Sequence, residues 1–376
     1  MGEARDSRAQ TRAWAEIDVA ALARNYRAIR ARAQDKRVIA VVKANAYGHG
    51  AVPAARALAA AGCDAFAVIS LDEAAELRDA GLRAALLVLG GVQDADEAAR
   101  ALALDVEPVL SRAEPLEWLD AAAARAGQEC RVHLELDTGM GRLGATPGEL
   151  DALLARAVRA RRVRVVGVMS HLACADDAAS PETARQRALF AELVGRVRAA
   201  GVTPQWLHID NSAGIVRGAA EGCNAVRPGI ALYGVDPTLE GGHPFEPVMS
   251  LCARVVHAKN VAAGTPIGYA GAFRAVEATR ILTLAVGYAD GLPRAAGGRA
   301  SVAVSGRRAP IVGRVSCDLA TVAVPTADPA GPGDVALVFG RRRGFELPVA
   351  ELASAVGTIS YEVLVRIGPR VPRIPT

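Results

Sequence analysis

The chain has 376 residues, of which 51% are hydrophobic and 22% charged, and a formal net charge of only +4. That size and balance describe a folded chain with either two domains or one large barrel carrying an appendage. They argue against a nucleic-acid surface, because basic runs such as Arg341, Arg342 and Arg343 have no interleaved aromatics. No run approaches the roughly 18 apolar residues of a spanning helix, and the polar start MGEARDSRAQ has no apolar leader core. Asp6 also breaks a myristoylation pattern, so a cytoplasmic location with no membrane partner is expected.

In chain order, the segment TRAWAEIDVAALARNYRAIRARA (residues 11–33) reads as a short strand and an amphipathic helix that could pack against either domain. From residue 38 onward apolar and amphipathic runs alternate. Strands are predicted at 38–43 (VIAVVK), 65–70, 84–90, 106–111, 131–137, 163–170, 205–210 and 225–234 (AVRPGIALYG). The helical runs between them include three closed by Gly81, Gly127 and Gly201, where a C-cap needs a positive φ. Eight such units predict a (β/α)8 TIM-type barrel, with an open doubly wound sheet as the alternative. Beyond about residue 240 the pattern becomes β-rich and is broken by Gly and Pro, which predicts a barrel over residues 12–240 and a mostly β domain over 241–376.

The six cysteines are widely separated and form no C-x-x-C pair, so neither a disulfide framework nor a metal site is suggested. The lysines carry more information. Only Lys36, Lys43 and Lys259 occur among 44 basic residues. Arginine stays protonated and cannot form a Schiff base, whereas a desolvated lysine can lose its proton and attack a carbonyl. Lys43, at the end of the first barrel strand in AVVKANAYGHG, is therefore marked for amine chemistry.

In such barrels chemistry gathers at the C-terminal strand ends. Lys43 falls there, as do Arg142 in the TGMGRLG loop, His171, Asn211 and Ser212 in HIDNSAG, and Arg227 with Gly229 in VRPGIALYG. Each has a plainer reading alone: a solvated lysine, a hydrogen-bonded histidine, a helix cap at Asn211 or Ser212, and glycines needed only for turns. Their convergence on one face favours a site.

With these motifs in place, the chain resembles the alanine racemase family over nearly its whole length. AEIDVAALARNYRAIR, AVVKANAYGHG, SLDEAAELRDAG, LDTGMGRLG, SHLACAD, HIDNSAG and VRPGIALYG carry the resemblance in the barrel. GYAG (268–271), VGYADGLPR, VGRVSCDLA and TISYEVLVRIGPRVPR carry it beyond. The resemblance implies pyridoxal phosphate held by Lys43 as a Schiff base, and interconversion of L- and D-alanine by two opposed bases, Lys43 and a Tyr269 donated by the partner of a homodimer. It further implies that His171 and Arg227 tune the tyrosine, that Arg227 faces the cofactor's ring nitrogen, and that Tyr47, Ser212, Gly229, Ile230 and Tyr361 meet the phosphate. Arg142, Cys317 and Asp318 are implied at the substrate.

Two positions depart from the family pattern. Glu135 stands where a carbamylated lysine is usual, and the expectation is that its carboxylate holds Arg142. Cys317 stands where methionine is usual, and a broader tolerance of small amino acids is expected. The competing readings are a racemase of wider specificity, a decarboxylase, against which Arg227 speaks, and a pyridoxal-phosphate-binding protein without turnover, which would lack the β domain with Tyr269 and Asp318.

Overall fold

The structure is a computed structural model that describes residues 11–238, 240–243 and 245–376; the reading of the first ten residues lies outside them. The chain divides into two compact units, one of residues 22–46 and 51–245, the other of residues up to 21, 47–50 and 246–376.

The first unit contains eight parallel strands: β2 (Arg37–Val41), β3 (Ala65–Val68), β4 (Ala85–Val88), β5 (Glu107–Leu110), β6 (Cys130–Glu135), β7 (Val163–Met169), β8 (Trp206–His208) and β9 (Ala225–Val226). Neighbours pair in sequence order from β2 to β8, and β9 pairs with β2. Hydrogen bonds from Asn224 N–H to Leu207 O (3.1 Å) and from Arg227 N–H to Asp210 O (2.9 Å) close the ring. The predicted barrel is thus present. Every residue of β3, β4's last three, and all of β5 are buried, as parallel strands covered on both faces require.

Several local signals act as read. Gly81, Gly127 and Gly201 follow their helices at φ of +89°, +66° and +86°, the left-handed region that a side chain disfavours. The SLDE and DADE segments start helices with Ser70 and Asp94 accepting the N–H of Glu73 and Glu97.

The eighth strand is shorter than expected. Only Ala225–Val226 is ladder, and Ile230–Tyr233 forms a 3₁₀ turn. Pro228 has no N–H for a ladder, although its carbonyl still accepts from Val41 N–H at 3.0 Å.

The second unit is built on β1 (Ala13–Ile17), β10 (Met249–Val261), β11 (Pro266–Ile267), β12 (Phe273–Arg274), β13 (Thr279–Leu284), β14 (Ser301–Val304), β15 (Arg307–Val312), β16 (Ala320–Val324), β17 (Val335–Arg342), β18 (Phe345–Leu347) and β19 (Arg373–Pro375). Nine of these form one sheet, in which the 13-residue β10 pairs with β1, β13 and β17. Trp14 of β1 is buried with Cys252, Ala303, Leu337 and Leu347. That packing assigns the N-terminal strand to the β-rich unit, and the division falls at 245/246, five residues beyond the expected 240/241. Among the described residues no helix is long and apolar enough to cross a membrane.

Candidate active site

Strand β2 stops at Val41, two residues before the expected end, and the chain then makes a left-handed helical turn. Ala44, Asn45 and Ala46 have φ of 52°, 54° and 55°, and Tyr47 follows at 51°. Each L-residue in that region costs about 1–2 kcal/mol, so the turn needs external support. Ala46 N–H donates to Val42 O at 2.8 Å. Glu73 Oε1 accepts from Ala44 N–H at 2.7 Å while its other oxygen accepts from Ile69 N–H, and Asn45 Oδ1 accepts from Ala51 N–H at 2.7 Å. A strand-like sequence is bent by tertiary hydrogen bonds that periodicity cannot reveal.

Lys43 opens this turn, half-buried. Burial, and then the Arg142 charge, hold its ammonium below the ordinary lysine pKa, against a smaller opposing pull from Glu73. His171 is pushed down to about 3 by burial and then by Arg227, Arg142 and Lys43, so it is neutral. Arg227 is 3% exposed. Its Nη2 donates to Ser170 O at 2.6 Å and lies 3.3 Å from His171 Nδ1; its Nη1 donates to His208 O at 3.0 Å and lies 2.6 Å from His208 Nδ1. Burial lowers its pKa to about 10, with Glu135 and Asp210 opposing, and it remains a cation at neutral pH. Three cationic side chains and a neutral imidazole therefore share one face of the first unit.

Ser212 and Gly229 supply a second element. Ser212 Oγ accepts from Gly229 N–H (2.9 Å) and Ala231 N–H (3.3 Å), which leaves its own O–H to donate. Ile230 opens the 3₁₀ turn, where an N–H has no intrahelical acceptor. Asn211 caps the Ser212–Val216 helix, its oxygen accepting from Gly214 N–H, and its amide donates to Leu172 O, which fixes it beside Ser212. Glu135 and Arg142 make no direct ion pair, although the Arg142 charge, after that of Arg227, acts on the Glu135 carboxylate; Ser111 Oγ donates to it at 3.3 Å, and burial raises its pKa against these pulls. Glutamate is shorter than the lysine of the family pattern, and Arg142 is exposed in its loop.

The remaining predicted residues belong to the β-rich unit. The Tyr47 and Tyr361 rings meet edge-on, 6.1 Å apart, and burial pushes the Tyr47 phenol up. Tyr269 sits 69% exposed on a tight turn after Gly268. Cys317 and Asp318 lie in the loop between β15 and β16. Their loop is held by residues that sequence reading missed. Arg370 Nη2 donates to Asp318 Oδ1 at 2.7 Å and to Asp290 Oδ2 at 3.1 Å, and its Nε donates to Asp290 Oδ1 at 2.7 Å. Asp290 Oδ2 also accepts Gly287 N–H, and the next two amides, Tyr288 and Ala289, donate to Ser316 O and Cys317 O. A Cβ on Gly287 would come within 2.2 Å of Cys317 O, so this contact requires glycine. Glu73 and Arg370 were legible only as charges inside quoted motifs.

The donor set fits pyridoxal phosphate: an amine with lowered proton affinity, the Ser212 hydroxyl beside the N–H of Ile230 at the start of its turn for an anion, and a fixed arginine of the kind that partners a pyridine nitrogen. The first unit is thus a TIM-type barrel with a lysine of lowered proton affinity at its mouth, an arrangement compatible with a barrel enzyme that works through a bound aldehyde. Residues 17–237 match the model of the alanine racemase N-terminal domain, and residues 248–375 that of the C-terminal domain. The chain is 40% identical over 362 residues to alanine racemase of Symbiobacterium thermophilum, covering 96% of each. Its structure resembles alanine racemase from Streptomyces coelicolor (TM-score 0.94, 37% identity, 99% of this chain and all of that one). It also resembles alanine racemase from Bartonella henselae with covalently bound pyridoxal phosphate (TM-score 0.87, 31% identity, 97% of this chain and all of that one). The chain belongs to the alanine racemase family.

Proposed function

We propose that the chain interconverts L- and D-alanine as a pyridoxal-phosphate-dependent isomerase, supplying D-alanine for peptidoglycan. The observation that carries this is Lys43, an amine whose proton affinity is lowered by burial and by Arg142, on the same face as Arg227 and the Ser212 cradle. Pyridoxal phosphate, when bound, supplies an aldehyde that takes up the substrate amine and a conjugated ring that delocalises electron density from Cα.

In this reading Lys43 holds the cofactor and afterwards accepts or returns the Cα proton at Nζ, which its lowered proton affinity favours near neutral pH. Arg227 is held by five acceptors and presents a fixed cation to the ring nitrogen, disfavouring a proton there. Ser212, Gly229 and Ile230 bind the phosphate, and Tyr47 and Tyr361 are assigned to it from the resemblance. Arg142, exposed and without an ion-pair partner among the described residues, is available to the substrate carboxylate.

Inversion needs a second base on the opposite face of Cα. We assign it to Tyr269 of a second copy in a homodimer, with Cys317 and Asp318 closing that pocket; the exposure of Tyr269 supports the assignment. The β-rich domain match favours catalysis over the binding-protein alternative. A cytoplasmic location is part of the same proposal, and cell fractionation tests it. The chemistry is tested by incubating the loaded enzyme with L-alanine in deuterated water and following Cα exchange and D-alanine together. Exchange with inversion is expected; no exchange would sink the racemase reading, and exchange without inversion would remove Tyr269.

A further inference from the structure

Behind Arg227 the barrel core contains buried ionisable groups that the reaction does not use. Glu107 is the first residue of β5, His133 lies within β6, and His208 ends β8; the three are 4%, 0% and 0% exposed. Arg227 Nη1 lies 2.6 Å from His208 Nδ1, His208 Nε2 lies 2.9 Å from His133 Nδ1, and His133 Nε2 lies 3.0 Å from Glu107 Oε2. The other oxygen of Glu107 accepts from Arg131 Nε at 2.9 Å. The line runs from the N-terminal end of the strands to the mouth.

Donor and acceptor arithmetic fixes every proton in it. Arg227 can only donate, so His208 Nδ1 is an acceptor and its proton is on Nε2. His133 Nδ1 then accepts, and its own proton is on Nε2, facing a carboxylate that can only accept. Burial would raise the Glu107 pKa, but the bonds from His133 and Arg131 more than offset it and keep the carboxylate ionised. Burial holds His133 below the usual histidine pKa against the pull of Glu107, and His208 well below it, so each carries one proton and the Glu107–His133 contact is a hydrogen bond rather than an ion pair. The barrel makes room for the line: a Cβ on Gly167, which pairs with His133 across β6 and β7, would come within 2.0 Å of His133 Nδ1.

We propose that Glu107 is a positioning residue for Arg227, acting from the far end of the barrel through His133 and His208. The carboxylate breaks the balance between two proton arrangements of the imidazole pair. In the observed sense each imidazole turns a lone pair toward the mouth and Arg227 has an acceptor. In the opposite sense His208 would turn an N–H toward the guanidinium, two donors would face each other at Nη1, and Arg227 would be displaced from its shortest acceptor on that nitrogen and held only by backbone carbonyls and His171. Without Glu107 the observed sense leaves the His133 N–H unpaired in the core, and the preference is lost.

This rests on the assignment of Arg227 to the cofactor, and the test separates the two. In the full-length holoenzyme with ¹⁵N-labelled histidine and arginine, couplings through the hydrogen bonds should place the proton on His208 Nε2, with His133 Nδ1 as acceptor. The proton on His133 Nδ1 instead overturns the proposal without any variant. Glu107→Leu should abolish that coupling, shift the Arg227 guanidinium resonances and lower kcat about tenfold with KM unchanged. Glu107→Gln, whose amide oxygen can accept from His133, should restore all three. Arg131→Gln should leave them intact, since only the carboxylate's outer partner is lost. Loss of the coupling in Arg131→Gln as well, or a Glu107→Leu change confined to His133, overturns the proposal. Loss of the coupling in Glu107→Leu with unchanged turnover supports the positioning and overturns the assignment of Arg227 to the cofactor.

Discussion

At the barrel mouth Arg227 is 3% exposed and bonded on both terminal nitrogens, whereas in the β-rich unit Tyr269 is 69% exposed and Asp318 is gripped by an Arg370 whose side chain is itself 49% exposed. Both regions fix polar side chains for the same proposed reaction, but the medium differs. Inside the barrel low polarity magnifies each charge, so proximity alters proton affinity, as at Lys43 and His171. In the exposed loops water screens the charges, and an ion pair chiefly restricts geometry. Substitutions in the first region should change the chemistry of a group, and those in the second its placement.

The largest effect is expected at Lys43. Lys43→Ala should reduce both Cα exchange and racemisation by on the order of 10³-fold or more, because it removes the cofactor anchor and one base together. Retained exchange would place the base elsewhere. Tyr269→Phe comes next, with racemisation falling by about 10²–10⁴-fold, while exchange from the enantiomer served by Lys43 survives. Equal loss for both enantiomers would contradict separate faces.

Acid should separate the regions more directly. The folded pKa of His171, about 3, lies below the ordinary value of about 6.5, and His133 and His208 shift the same way. Between those values the unfolded chain binds more protons than the folded one. The stability these neutral histidines contribute is therefore full above about pH 6.5 and is lost as pH falls toward 3. Hydrogen exchange in β6, β7 and β8 should accelerate over that window; protection unchanged down to pH 4 would mean that the three are not held neutral.

These expectations also mark what the sequence made legible. The barrel was readable because buried parallel strands are short apolar runs between amphipathic helices with glycine stops, and Lys43 stood out against 41 arginines. Glu107, His133 and His208 were also visible, as ionisable residues inside runs predicted to be buried, but a strand pattern does not say which inward side chains meet. The split of residues 309–324 into β15 and β16 was hidden because the Cys317 loop is flanked by equally strand-like sequence. The absence of a Glu135–Arg142 ion pair depends on side-chain reach, which motif matching does not measure.

A smaller effect is expected where the clamp is exposed. Arg370→Gln should leave the fold nearly as stable, because a screened pair contributes little, yet it frees the Cys317–Asp318 loop. Cys317 is an exposed free thiol and so reports on its own loop. Its reaction with a disulfide reagent should quicken a few-fold in Arg370→Gln, with KM for alanine rising more than kcat falls. Unchanged thiol reactivity would show that the amides of Tyr288 and Ala289 hold the loop without the arginine.

The smallest effect tests the strained turn. Ala44 is exposed at φ 52°, so its methyl group contributes no core packing and only disfavours the conformation it occupies. Ala44→Gly removes a left-handed penalty of about 1–2 kcal/mol but adds about 0.5–1 kcal/mol of chain entropy to the unfolded state. A net gain of up to about 1.5 kcal/mol should appear as a slightly higher Tm. If the turn must be stiff to aim Lys43, kcat should fall as Tm rises, because glycine also admits the extended conformation that the VIAVVK run would otherwise favour. A higher Tm with full activity would show that Glu73 and Asn45 alone hold Lys43 in place, and that the left-handed backbone is a consequence of those bonds rather than a second constraint.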